Sequence, residues 1–260
     1  MRIIEVENYE KMSQLAAGML GAQVLLKPDC VLGLATGSSP IRTYELLAEQ
    51  CAAGLLDFSQ VRTVNLDEYC GLKPDDPQSY RYFMDTNLFD KVNIKKENTY
   101  LPNGIAPDME AEAARYEALV QELGGADLQL LGIGHNGHIG FNEPTDAFPR
   151  DVHTVALTER TIQANSRLFD KIEDVPTTAI TMGIGTIMKA KKILLIAGSD
   201  KREIVERACY GEVTPQVPAS VLQLHPDVTV ILCTKKETGR EPCLWNRYRH
   251  ILNRRAWGTG

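Results

Sequence analysis

The stretch LGIGHNGHIGFNEP, residues 131–144, threads two histidines, two asparagines and a glutamate among glycines that include the evenly spaced Gly134, Gly137 and Gly140. An imidazole can take and give protons near physiological pH, which makes His138 a candidate acid/base. Glu143, further along the same stretch, can orient or charge-stabilise that ring if the turn folds back. Asn136 can donate or accept a hydrogen bond but cannot serve as a base. Glycines such as Gly137 permit positive φ and let a ligand approach the backbone. One alternative is a zinc site built from His135, His138 and Glu143. Zinc motifs of this kind place their histidines on a regular helix, which Gly137 and Gly140 oppose. The plain alternative is a turn whose histidines do nothing.

Two further stretches place unusual residues where an apolar run ends. In TVNLDEYCGL, Asp67 and Glu68 follow an apolar segment. Adjacent carboxylates repel, and burial raises a carboxyl pKa, one route to a general base; an ordinary acidic turn is the other reading. In GLATGSSP, Thr36, Gly37, Ser38 and Ser39 lead towards a helix beginning near Pro40. Such a loop offers hydroxyls, free N–H groups and close approach to an anion, although serines here could simply cap the helix. It matches neither a Walker A loop nor a dinucleotide fingerprint. Arg167 and Lys201, each taken alone, read as surface charges. Together with the glycine-serine loop they could clamp a phosphate.

These residues need elements to position them. Short apolar runs (RIIEV, CVLGLAT, VRTVNL, LQLLGI, KILLIA, VTVILC) alternate with helical segments such as PIRTYELLAEQCAAG, PDMEAEAARYEALVQELGG and KREIVERACYG. Continuously apolar strands are buried on both faces, and this alternation predicts an open, mostly parallel, Rossmann-like α/β sheet with helices on both sides. Ligands of such sheets bind beyond the carboxyl ends of the strands, where the three stretches fall.

No linker, repeat or low-complexity tract divides the 260 residues. One catalytic domain is therefore expected over 1–260, with a C-terminal helix over about 241–255 packed on it. Apolar content of 43% and charged content of 24% allow a sizeable core. A net charge of −6 argues against nucleic acid as a partner. No signal peptide or membrane span is legible, and the six scattered cysteines suggest a reducing, cytoplasmic setting.

Taken in order, ATGSSP, NLDEYCGL, GIGHNGHIGFNEP, ANSRLF, GSDK and LQLHP resemble the glucosamine-6-phosphate deaminase family from about residue 2 to residue 235. The resemblance implies conversion of glucosamine 6-phosphate and water into fructose 6-phosphate and ammonia, without metal or organic cofactor. It assigns Asp67 as the base at C2 and His138 as the acid/base of ring opening, with Glu143 and Asn136 assisting. Thr36, Gly37, Ser38, Ser39, Arg167 and Lys201 match the phosphate clamp, and Glu68 and Gly137 are expected at the substrate too. The segment carrying Arg167 corresponds to a mobile lid.

Two positions depart from the family pattern. Some members carry aspartate at the position of Asn136, so a charge beside the imidazole is given up; activity is expected to survive. Members activated by N-acetylglucosamine 6-phosphate carry Arg and Lys where this chain has His153 and Val155, which weakens the case for an effector site. The oligomeric state stays open between a monomer and a homo-oligomer. A 6-phosphogluconolactonase shares the fold, but Asp67 favours the deaminase. A sugar-phosphate-sensing repressor domain would need a DNA-binding element that the first 30 residues do not offer.

Overall fold

The computed structural model describes residues 1–158, 162 and 175–235. Its larger sheet has seven strands. In chain order they are β1 (Arg2–Val6), β2 (Val31–Leu34), β3 (Arg62–Asn65), β5 (Thr99–Tyr100), β6 (Leu128–Leu131), β9 (Ile193–Ala197) and β10 (Val228–Cys233). Spatial order is β1-β10-β9-β6-β2-β3-β5, and every pairing is parallel. All residues of β2, β6, β9 and β10 are buried, which is why these segments read as unbroken apolar runs.

The side-chain alternation of the strands divides the core in two. Leu32, Leu34, Leu130 and Ile196 pack with Met12, Leu20, Tyr44, Leu47 and Met84 of α1 (Tyr9–Leu26), α2 (Ile41–Ala52) and α3 (Tyr80–Asn87). Val31, Val64, Leu131 and Leu195 pack with Tyr116, Val120, Ile184, Ile187, Ile204 and Val205. These belong to α4 (Met109–Glu122), α5 (Ile184–Ile187) and α6 (Arg202–Tyr210). Helices thus cover both faces, as the alternation of elements requires.

A second, antiparallel sheet was not legible in the sequence. β4 (Asp67–Tyr69) and β7 (His153–Ala156) flank β8 (Thr178–Thr181), with Asp67 opposite Thr181. Among the described residues no helix is long and apolar enough to cross a membrane.

At the amino ends of the strands, Asp127 joins β6 to β2. Its carboxylate accepts hydrogen bonds from Lys27 Nζ at 2.8 Å, Lys191 Nζ at 2.7 Å and Val31 N at 2.8 Å. Burial alone would raise its pKa, but the two lysines and the backbone N–H outweigh that and hold it down to about 2. Asp127→Asn keeps one acceptor for Val31 N but gives up the charge-assisted contacts to two solvent-exposed lysines, so a loss of about 1 kcal/mol in urea unfolding is expected. Because the folded pKa is depressed, this contribution is full above the ordinary carboxylate range, about 3.9, and fades as pH falls towards the folded value. The gap between wild type and variant should narrow over that acidic window.

Candidate active site

Sheet order reverses direction between β6 and β2. From β2 the chain proceeds to β3 and β5 on one side, and from β6 to β9 on the other. That reversal opens a crevice beyond the carboxyl ends of the strands. Four neighbouring strands, β3, β2, β6 and β9, send their following loops into it. The result is a cavity of about 440 Å³ lined by Thr36 to Ser39, Asp67, Tyr80, His135, Asn136, His138, Phe141, Glu143, Thr158 and Lys201, among others. This lies within the usual range for small-molecule sites, about 300–1,000 Å³.

Asp67 and Glu68 part company because successive strand residues point to opposite faces. Asp67 lines the cavity, is buried, and among the described residues receives no hydrogen bond on its carboxylate. Burial, reinforced by the charge of Glu68, pushes its pKa up to about 8. Glu68 is not part of the lining. Its carboxylate accepts from the backbone N–H groups of Tyr69, Tyr80 and Arg81, each at 2.9 Å, and so closes the amino end of α3. Burial raises the Glu68 pKa to about 7 against the pull of those three donors. Glu68, expected at the substrate, therefore serves as a brace that sets Tyr80 in the wall.

Tyr80 stacks on Phe141, with planes 3° apart and centroids at 6.0 Å, and lies 4.8 Å from the Tyr69 ring. Sequence reasoning missed this aromatic wall. Nothing local marks Tyr80, since its place is fixed by a carboxylate from another element. Phe141 lay within the quoted motif without a role.

In the glycine motif, His138 Nδ1 lies 2.7 Å from Asn136 Oδ1 and 3.3 Å from Glu143 Oε1. Asn136 Nδ2 donates to Glu143 Oε2 in a short hydrogen bond. A carboxylate only accepts, so it fixes which way the Asn136 amide faces, and Nδ1 of His138, facing two acceptors, carries the hydrogen. Nε2 is left with its lone pair. Asn136 thus acts as a hydrogen-bonded wedge between imidazole and carboxylate.

The glycines serve different needs. A Cβ on Gly134 would fall 2.1–2.4 Å from three atoms of the His138 ring. Gly137 has φ +89° and is also not in the lining; a Cβ there would meet Val217 Cγ1 at 2.8 Å. The turn is tied down by Asn142 Nδ2, which donates to Ile139 O and Met182 O, and by Phe141 N, which donates to Thr181 Oγ1 at 3.2 Å.

The glycine-serine loop is not a capping device. Pro40 occupies the N-cap of α2, with no side-chain hydrogen bond to the helix. Tyr9 Oη accepts from Arg42 N instead and donates to Ser38 O at 3.0 Å. Thr36, Gly37, Ser38 and Ser39 are left lining the cavity, with Lys201 in the wall as well. His135 accepts a short hydrogen bond from Lys201 at Nδ1 and lies 3.0 Å from Asp200 Oδ2 at Nε2. His135 and His138 thus have separate partners, and among the described residues no three His, Cys, Asp or Glu side chains converge as a metal site. Arg167 and the helix expected over about 241–255 lie outside the described residues.

A doubly wound α/β sheet with a cavity lined by carboxylates and imidazoles at its switch point is the class that this geometry defines. The family model for glucosamine-6-phosphate isomerases/6-phosphogluconolactonase matches residues 7–231. A glucosamine-6-phosphate deaminase of Lachnoclostridium phytofermentans is 61% identical over 234 residues, covering 90% of this chain and 99% of that protein. One from Thermoanaerobacter pseudethanolicus is 55% identical, covering 89% and 92%. The solved structure of a monomeric glucosamine-6-phosphate deaminase, 48% identical, matches with a TM-score of 0.86 over 90% of this chain and 97% of that one. A 6-phosphogluconolactonase from Trypanosoma cruzi matches at TM-score 0.72 with 18% identity, covering 89% and 94%, a likeness of fold alone. The chain belongs to the glucosamine-6-phosphate isomerase/6-phosphogluconolactonase family.

Proposed function

We propose that this protein is a glucosamine-6-phosphate deaminase, converting glucosamine 6-phosphate and water into fructose 6-phosphate and ammonia. The observation that carries the reading is a buried carboxylate without hydrogen-bond donors among the described residues, Asp67, in one cavity with the His138–Asn136–Glu143 relay. The deaminase relatives at 61% and 55% identity support it.

In this mechanism the glycine-serine loop and Lys201, with Arg167 by family resemblance, hold the phosphate. Its binding energy keeps the far end of the sugar in register without the phosphate changing. His138 Nε2 takes the proton of the anomeric hydroxyl and returns one to the ring oxygen, which opens the ring. Glu143 balances the transient imidazolium, directly and through Asn136. Once C1 is a carbonyl, the C2 proton becomes acidic and Asp67 removes it. The same carboxyl delivers the proton to C1, giving the 2-imine, and water replaces nitrogen at C2 to release ammonia. A base whose own pKa is raised accepts a carbon-bound proton more readily than an ordinary carboxylate. A single domain does this work in the cytoplasm.

Purified protein incubated with glucosamine 6-phosphate and EDTA should release fructose 6-phosphate and ammonia in equal amounts, and unphosphorylated glucosamine should react far more slowly. Silence on the amino sugar phosphate, with hydrolysis of 6-phosphogluconolactone, would replace this reading by the lactonase.

A further inference from the structure

Two tyrosine hydroxyls hold the glycine-serine loop from behind. Tyr44, in α2 and fully buried, donates to Ala35 O at 2.6 Å and accepts from Ala35 N at 3.2 Å. Burial pushes its pKa well above the usual phenol value, so the hydroxyl keeps its proton. Tyr9, the first residue of α1, donates to Ser38 O at 3.0 Å and accepts from Arg42 N at 3.1 Å. The latter bond satisfies an N–H in the first turn of α2, a helix whose N-cap, Pro40, offers no side-chain acceptor. Between the two anchored carbonyls lie Thr36 and Gly37, both in the cavity wall. Gly37 has φ +98°. Glycine loses more freedom on ordering than any other residue, so a loop centred on one needs outside anchors to keep its shape.

A peptide N–H carries partial positive charge and a carbonyl partial negative charge. A loop therefore receives an anion by presenting N–H and hydroxyl groups and turning its carbonyls away. We propose that Tyr9 and Tyr44 are positioning residues for the substrate phosphate: their hydroxyls keep the carbonyls of Ser38 and Ala35 in the helix layer, so that the donors of Thr36 to Ser39 face the cavity. The inference rests on the deaminase reading, in which this loop takes the phosphate. Neither tyrosine is part of the cavity lining, and both pack with the core of α1, α2 and α3, so they act through the loop.

Tyr9→Phe keeps the half-buried ring and removes the hydroxyl. KM for glucosamine 6-phosphate is expected to rise about fivefold, the size of one hydrogen bond, with kcat changed by less than about twofold. The Kd of inorganic phosphate, read by calorimetry, should rise by the same factor. kcat/KM for unphosphorylated glucosamine should stay at the wild-type value, because nothing then occupies the phosphate end of the cavity. Glu10→Gln serves as the control. It weakens the 3.0 Å ion pair of Glu10 with Arg42, which joins the same two helices, and should leave the phosphate Kd unchanged. Tyr44→Phe should repeat the pattern of Tyr9→Phe; where its buried site does not tolerate the change, Tyr9→Phe decides alone.

An unchanged phosphate Kd in Tyr9→Phe would overturn the proposal. So would an equal loss in Glu10→Gln, or an equal loss on glucosamine, either of which would reduce the tyrosines to general packing. Calorimetry needs no turnover. A protein silent on glucosamine 6-phosphate would therefore sink the deaminase reading, while the ratio of phosphate Kd values still decides this one.

Discussion

Asp67→Asn is expected to lower kcat by about 10³-fold or more while making the protein harder to unfold. Asparagine has nearly the shape of aspartate and cannot take the C2 proton. It also removes an ionisable group from a place where charge is disfavoured by burial and by Glu68. With the folded pKa raised to about 8, ionisation of Asp67 favours the unfolded chain increasingly from the ordinary carboxylate range upward. The variant should gain about 1–2 kcal/mol in urea unfolding near neutral pH. That gain should vanish below about pH 4, where the group is neutral in both states. In wild type, kcat/KM should climb as pH rises through the Asp67 pKa of about 8, since only the ionised form is a base. A loss of stability in Asp67→Asn, or an activity profile flat across that range, would remove Asp67 from the role of strained base.

The second large effect is expected from a single methyl group. In Gly134→Ala the new Cβ would lie 2.1 Å from His138 Cε1 and 2.3 Å from Nδ1, far inside contact distance. The ring can swing away at little cost to the fold, but it then leaves Asn136 and Glu143. Displacement of a catalytic group by about 1 Å is worth about 10²-fold in rate. We expect kcat to fall by that order, KM to change little, and the unfolding midpoint to shift only slightly. Retained activity would mean that ring opening does not depend on the position of this imidazole.

The sequence carried the larger sheet because its strands are buried on both faces and stand out as apolar runs. It carried the site for a related reason: glycines, carboxylates and imidazoles are conspicuous where such a run stops. What lay hidden was tertiary. Asp-Glu-Tyr is too short to declare itself a strand, and β7, half exposed, alternates in burial. Their pairing with β8 spans distant parts of the chain and leaves no local period. Glu68 could not be separated from Asp67 by residue type, only by the strand geometry that turns one side chain inward and the other towards α3. Ser38 and Ser39 looked like caps until Pro40 was seen to hold that position. Residue types announced the chemistry, and long-range contacts distributed the roles.

Asp67 pairs with Thr181 across the small sheet, and the histidine turn hangs from the Thr181 hydroxyl and the Met182 carbonyl. Asp67 belongs to β4 of the small sheet and His138 to the turn that follows β6 of the large one, yet both are surveyed from this one benchmark. A disturbance that moves β8 as a whole carries the two together and preserves their separation, so the tolerance that matters to a sugar is held locally. Slack elsewhere in the molecule does not accumulate as error between C1 and C2.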